Sequence, residues 1–203
     1  MESTELRDGS KVAIRPIEPD DAEHLREVWD GMSALSRRRR FLTPSSGPVS
    51  DEDVRYLVDV DHRRHEALLA LDEAGRAVGV ARFVRTPGHR QSAEVAVAVV
   101  DDWHRRGLAT ALLDRLNARA RENGIERYTA IVSDDNDIVL GGLERAGAGR
   151  VGSNGEGEVE FVFELPADGV GERLSAVLRA AGEAPRDFLS AGMRRLNVWR
   201  RAE

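Results

Sequence analysis

The sequence predicts one α/β (α+β) domain, a mixed and mostly antiparallel sheet of six to seven strands flanked by helices, with a C-terminal helical tail. Three observations carry this prediction. Short apolar or alternating runs recur between helical patterns, as in "KVAIRPI", "AVGVARFVR" and "RYTAIV". Successive runs in the first half are joined by short turns, which rules against a purely parallel sheet because parallel neighbours need a crossover. A length of 203 residues, with 41% hydrophobic and 33% charged content, suits one well-buried domain with a strongly solvated surface.

The elements follow in order. "KVAIRPI" alternates and reads as a strand; Pro19 and Asp20 then open a helix with Leu25, Val28, Trp29 and Met32 on one face. "SALSRRRRFL" is a short second helix stopped by "TPSSGP". Ser50 caps a third, "DEDVRYLVDV". "EALLAL" and "AVGVARFVR" are strands joined at "DEAG", whose Asp and Gly suit a hairpin, and "PGHRQS" turns into the strand "AEVAVAVV". A long helix runs from Gly107 to Asn123 with Leu108, Leu112, Leu113 and Leu116 at helical spacing, ended by Gly124. "RYTAIV" is a strand, "NDIVLGGLERAG" a helix, and "RVGSNGEGEVEFVFEL" a Gly-rich hairpin. Division of the chain is expected at 1–165 for the domain and 166–203 for the tail, which carries two amphipathic segments, "GERLSAVLRAAGE" and "PRDFLSAGMRRLNVWRR".

Composition excludes several classes of chemistry. No cysteine occurs, so disulfides, thiolate metal sites and a cysteine nucleophile are absent together. No apolar run has transmembrane length, and "MESTELRDGSK" has neither the basic nor the apolar region of a signal peptide. A cytoplasmic location is expected. The net charge of −6 argues against attraction of the whole molecule to nucleic acid or anionic membrane.

Two glycine motifs need separating. "GAGRVG", residues 147–152, has the spacing of a dinucleotide loop, but it follows a helix and leads into a hairpin, where its amides cannot face a pyrophosphate. "DDWHRRGLATALL", residues 101–113, has the opposite context, because it follows an apolar strand and begins a long helix. The amides of Gly107, Leu108, Ala109 and Thr110 therefore lack intrahelical partners, and helix dipole and amides together favour a phosphate. Gly107 and Ala109 permit close approach, while Arg105 and Arg106 supply charge; an ordinary helix start with solvated arginines is the alternative.

The same stretch resembles the acetyl-CoA signature of the Gcn5-related N-acetyltransferases (GNAT), a Q/R-x-x-G-x-G/A loop after a strand. Here it reads His104-Arg105-Arg106-Gly107-Leu108-Ala109, with His at the first position instead of Gln or Arg. With "AEVAVAVV", "ARENGIERYTAIVSDDN" and "LERAGA", the likeness extends from Lys11 to about Leu165, and it is greatest to the acetyltransferase domain of bacterial protein lysine acetyltransferases. The resemblance implies a GNAT fold, acetyl-CoA as co-substrate without a metal, and transfer of acetyl to a primary amine, for example a protein lysine on an acyl-CoA synthetase. It implies Glu94 as catalytic base, Val97 to Val99 pairing with the pantetheine arm, a strand amide near Val99 polarising the thioester, and Asn136 contacting CoA.

Chemistry makes each of these roles reasonable. A lysine amine has a pKa of about 10.4, so near pH 7 only a few in ten thousand are neutral and a base is needed. Glu94 sits between Ala93 and Val95 in an apolar run, an environment that raises a carboxyl pKa; a solvent-facing strand end is the alternative. Without cysteine to carry the acetyl group, direct attack in a ternary complex is preferred. Asn136 is equally placed to cap its helix. Counting from it, the position where the family often has a tyrosine acid holds Leu143, so no proton donor to the leaving thiolate is visible there.

Arg37 to Arg40 read as a solvated helix face with one arginine paired to acid; a basic patch for nucleic acid or an acidic protein surface is the alternative, and the resemblance, which sets this helix beside the acceptor groove, implies a part in choosing substrate. His62, His65 and His89 show no metal-ligand spacing, and "DHRRH" reads as an exposed turn. A small-molecule amine acceptor and a catalytically silent acyl-CoA sensor remain alternatives, and a homodimer is open. Relatives of this kind can carry a nucleotide-binding regulatory domain. None is expected before Lys11, which leaves the tail to provide control.

Overall fold

The structure, a computed structural model, describes residues 3–41, 48–153, 157–171 and 175. The two expected tail helices lie outside the described residues apart from Gly171 and Ser175, as do most of the "TPSSGP" loop and the side chains of Arg38 to Arg40.

Among the described residues, eight strands form one sheet: β1 (Ser3–Glu5), β2 (Lys11–Pro16), β3 (His65–Leu71), β4 (Ala77–Arg85), β5 (Ser92–Val99), β6 (Arg127–Ser133), β7 (Gly149–Ser153) and β8 (Glu158–Glu164). Their spatial order is β1-β2-β3-β4-β5-β6-β8-β7, with every neighbouring pair antiparallel except β5 and β6. The expected fold class holds, with one strand more than six to seven. The addition is β1, three polar residues with no apolar alternation to betray them, ordered by pairing with β2.

Among the described residues, five helices cover the sheet: α1 (Ala22–Asp30), α2 (Ala34–Phe41), α3 (Asp51–Val58), α4 (Leu108–Glu122) and α5 (Asp137–Arg145). Local chemistry explains their ends. Before α1, Asp21 accepts the Glu18 N–H at 2.7 Å and a two-pronged pairing from Arg15 at 2.5 and 2.6 Å. Burial alone would raise the Asp21 carboxyl, but hydrogen bonds from Arg15, Glu18 and His24 outweigh it and hold it at about 2. Arg37 closes the other end of α1, with Nε donating to Trp29 O at 2.9 Å and the guanidinium 3.7 Å from Asp30. Ser50 caps α3 by accepting the Asp53 N–H at 3.1 Å.

The helices take opposite faces of the sheet. An added Cβ on Gly79 of β4 would lie 3.1 Å from a Leu112 methyl and 3.3 Å from a Leu108 methyl, so α4 packs close on that side. The next residues along, Val80 and Arg82, line an apolar pocket on the other side with Leu25, Val28 and Trp29 of α1 and Leu57 of α3. Strand alternation accounts for the division. Across the α4 face, Glu66 of β3 is wholly buried and accepts from Arg119 of α4 at 2.9 Å, with His62 Nδ1 at 2.7 Å. After β8, residues 166–171 return over α4, where Asn117 donates to Gly169 O at 2.9 Å and Val170 enters the core. No described helix is long and apolar enough to cross a membrane.

His65 corrects the reading of "DHRRH" as an exposed turn. It opens β3 and is buried, its ring tilted against Tyr56 at 5.4 Å and its Nε2 lying 3.1 Å from Arg82 Nη1. Burial first, and the Arg82 charge second, push its pKa down to about 3. The unfolded chain therefore binds a proton near pH 6.5 that the fold refuses until about pH 3. Stability should fall as pH drops through that window, by up to about 1.4 kcal/mol per pH unit, before the Asp21 pairing is lost below 3.8. Urea denaturation of His65→Gln, which keeps an acceptor for Arg82, should show a shallower slope between pH 6.5 and 4 than the wild type.

Candidate functional site

The sheet opens between β5 and β6. Their parallel pairing comprises Ser92 with Arg127, Ala93 with Tyr128 and Glu94 with Thr129, and then stops. Both strands continue, β5 held by β4 as far as Val99 and β6 by β8 as far as Ser133, so the two diverge as a V. Val100 N donates to Val78 O at 3.1 Å. Antiparallel pairs alternate between bonded and non-bonded positions, so Val97 and Val99 turn their peptide groups away from β4 and into the opening. Ala96 and Ile131 form a small separate apolar cluster beside it.

At the wide end of the V the chain turns sharply into α4. A short 3-10 turn, Asp101–Trp103, is fastened to the corner between α1 and α2: Asp101 N donates to Gly31 O at 3.0 Å, and its carboxylate accepts from Ser36 Oγ at 2.8 Å and Ser33 N at 3.3 Å. Arg105 and Gly107 both adopt left-handed backbone, φ +66° and +91°, curling the intervening amides inward. The first helical hydrogen bond is Ala111 N to Gly107 O at 3.0 Å, which leaves the N–H groups of Leu108, Ala109 and Thr110 without a carbonyl one turn back. A diphosphate would meet these amides over a residue that has no Cβ.

The expected site residues take the following positions. Arg105 is exposed at the loop. Arg106 is committed to structure, since Nε and Nη2 donate to Asp102 O at 3.1 and 2.9 Å, the guanidinium stacks on Trp103 at 4.7 Å, and Asp8 lies 3.6 Å away. His104 turns inward, with Nε2 3.0 Å from Val99 O, and so braces the last carbonyl of β5. Glu94 stands where the V closes and is only 6% exposed, on the strand face shared with Ala96 and Ala98. Asn136 caps α5, Oδ1 accepting from Val139 N at 3.3 Å, while its buried Nδ2 has no partner among the described residues, a donor available to a ligand. Leu143 is core-buried on α5. "GAGRVG" follows α5 and enters β7, with no helix opening from it. One contact escaped the sequence reading: Arg7 N, from the β1–β2 turn, donates to Arg106 O at 3.2 Å, so the first hairpin touches the loop.

The profile of the Acetyltransferase (GNAT) family matches residues 31–148. Acetyltransferase Pat of Mycolicibacterium smegmatis is 31% identical over 145 residues, covering 71% of this chain and 43% of its own length. The chain thus spans less than half of that relative. Acetyltransferase PA5475 of Pseudomonas aeruginosa is 32% identical over 137 residues, covering 64% of this chain and 71% of its own. Among solved structures, the GNAT domain of S. lividans PAT superposes with a TM-score of 0.71 at 32% identity, covering 81% of this chain and 96% of its own.

The loop geometry yields a test that needs no ligand. Gly107 combines φ +91° with Arg7 Cγ only 3.3 Å from an added Cβ, whereas Gly152 has nothing within 4 Å and no positive φ. Gly107→Ala should cost roughly 1–2 kcal/mol in urea denaturation and Gly152→Ala less than about 0.5 kcal/mol. Equal losses would show that the left-handed turn is not needed.

Proposed function

The chain belongs to the GNAT acetyltransferase family, and from that premise we propose that it transfers acetyl from acetyl-CoA to the side-chain amine of a protein lysine by direct attack, with Glu94 as general base. The observation that carries the reading is the opening between β5 and β6, closed at one end by a buried carboxylate and ending at the other in unpartnered helix amides. The lysine acceptor is favoured by the likeness to Pat, and acyl-CoA synthetases are suitable proteins on which to seek it.

Acetyl-CoA supplies the activated acyl group, and the residues present fit it. Leu108, Ala109 and Thr110 amides hold the diphosphate, and Asn136 Nδ2 offers a further donor. Val99 presents its N–H to the pantetheine arm, as an added strand would use it, while its carbonyl lies against His104. We place polarisation of the thioester at Val97. The rise of about 3.4 Å per residue sets Val97 roughly 10 Å and Val99 roughly 17 Å along β5 from Glu94, and only the nearer position lets the carboxylate reach the amine through one water. Glu94 takes the amine proton. The amine nitrogen bonds to the acetyl carbon as the carbon–sulfur bond breaks, and the departing sulfur leaves as thiolate or takes a proton from water, Leu143 having none to give.

Glu94→Gln should lower kcat about 10²- to 10⁴-fold while acetyl-CoA affinity, by calorimetry, stays within about two-fold. Unchanged turnover would remove Glu94 from the mechanism. Mass spectrometry of an acyl-CoA synthetase incubated with enzyme and acetyl-CoA should find acetylated lysine. Label appearing only on small amines would overturn the protein acceptor.

A further inference from the structure

The positive charge at the start of α4 is only in part where the sequence suggests. Arg106 is held by Asp102 O, Trp103 and Asp8, and Arg115 donates to Ile14 O at 3.2 Å and Thr4 Oγ1 at 3.0 Å. Their side chains are committed to fixing the loop and the helix to the first hairpin. Arg105 is exposed and free to turn outward. One more arginine reaches the same spot from far along the chain. Arg7 lies in the β1–β2 turn, where Leu6 N donates to Ser10 O at 2.8 Å, Gly9 N to Leu6 O at 3.0 Å, and Arg7 N itself to Arg106 O at 3.2 Å.

The Arg7 side chain runs across the open side of Gly107. A Cβ built on that glycine would stand 3.3 Å from Arg7 Cγ, 3.5 Å from Cδ and 3.8 Å from Nε. Arg7 is exposed, and among the described residues no hydrogen bond or ion pair engages its side chain. It is thus an uncommitted guanidinium one residue from the first unpartnered helix amide, with donors suited to phosphate oxygens.

We infer that Arg7 binds the diphosphate of CoA, clamping it from the hairpin side against the α4 amides. This rests on the acetyl-CoA reading of the preceding subsection. Diphosphate oxygens would then receive main-chain N–H groups from one side and a guanidinium from the other.

The test is calorimetric titration of the full chain with CoA and with 3′-dephospho-CoA. At about 0.05 M salt, where screening is weak, Arg7→Ala should weaken both ligands equally, by roughly three- to ten-fold. Arg7→Lys should keep most of the affinity, and about 0.5 M salt should shrink the difference. Arg7→Gln, which retains the aliphatic stem over Gly107, should match Arg7→Ala. Binding by the Gln variant like wild type would make packing the cause and overturn the inference. So would wild-type affinity in Arg7→Ala, or a loss confined to CoA, which would assign Arg7 to the 3′-phosphate. Wild-type protein that binds no CoA would instead bring down the functional reading on which this depends.

Discussion

The interruption of hydrogen bonding between β5 and β6 is the constraint on which this structure turns. Three residue pairs join the strands, and beyond Glu94 and Thr129 they separate although both continue. A sheet interior normally pairs every N–H and C=O, because an unpaired buried group is costly. Here the peptide groups of Val97 and the N–H of Val99 face an opening instead, the Val99 carbonyl lying against His104. The divergence is sustained from outside, since β4 pairs with β5 along its length and β8 does the same for β6. A gap whose two walls are each paired on the far side has the shape of an added strand.

The two ends of the slot are chemically different, and tertiary anchors keep them so. The closed end holds a buried carboxylate beside apolar neighbours, a setting for proton transfer. The wide end has main-chain donors and a helix dipole, a setting for anions. Asp101 ties the wide end to the corner after α1 through three hydrogen bonds, and His104 braces the Val99 carbonyl. Glu66 and Arg119 fix where α4 crosses β3, since removing Arg119 would leave the buried Glu66 carboxylate with His62 as its remaining side-chain partner. Movement of α4 would therefore disturb the loop amides and the sheet packing together.

The order of strands and helices was legible because it rests on periodicity, which is local: "AVGVARFVR" and the leucines of α4 announce their own geometry. The loop was legible for the same reason, since a glycine-containing turn between strand and helix exposes helix amides whatever surrounds it. Elements without local pattern escaped. β1 is three polar residues that become a strand only by pairing with β2. His65 sits in a charged run that reads as a turn, and its burial follows from packing against Tyr56 and Arg82.

By itself the sequence determined the succession of elements, the glycine at the head of α4 and the residue types available for chemistry, because hydrophobic spacing and backbone freedom act between near neighbours. Tertiary structure decided how those residues are used. It set which arginines are bound up in the fold and which remain open, turned His104 inward onto Val99, buried Glu94 where β5 and β6 part, and brought the first hairpin against the α4 loop. Each of these depends on strand register and on partners far apart in the chain, and pairwise contact at such separation leaves no periodic trace in the order of residues.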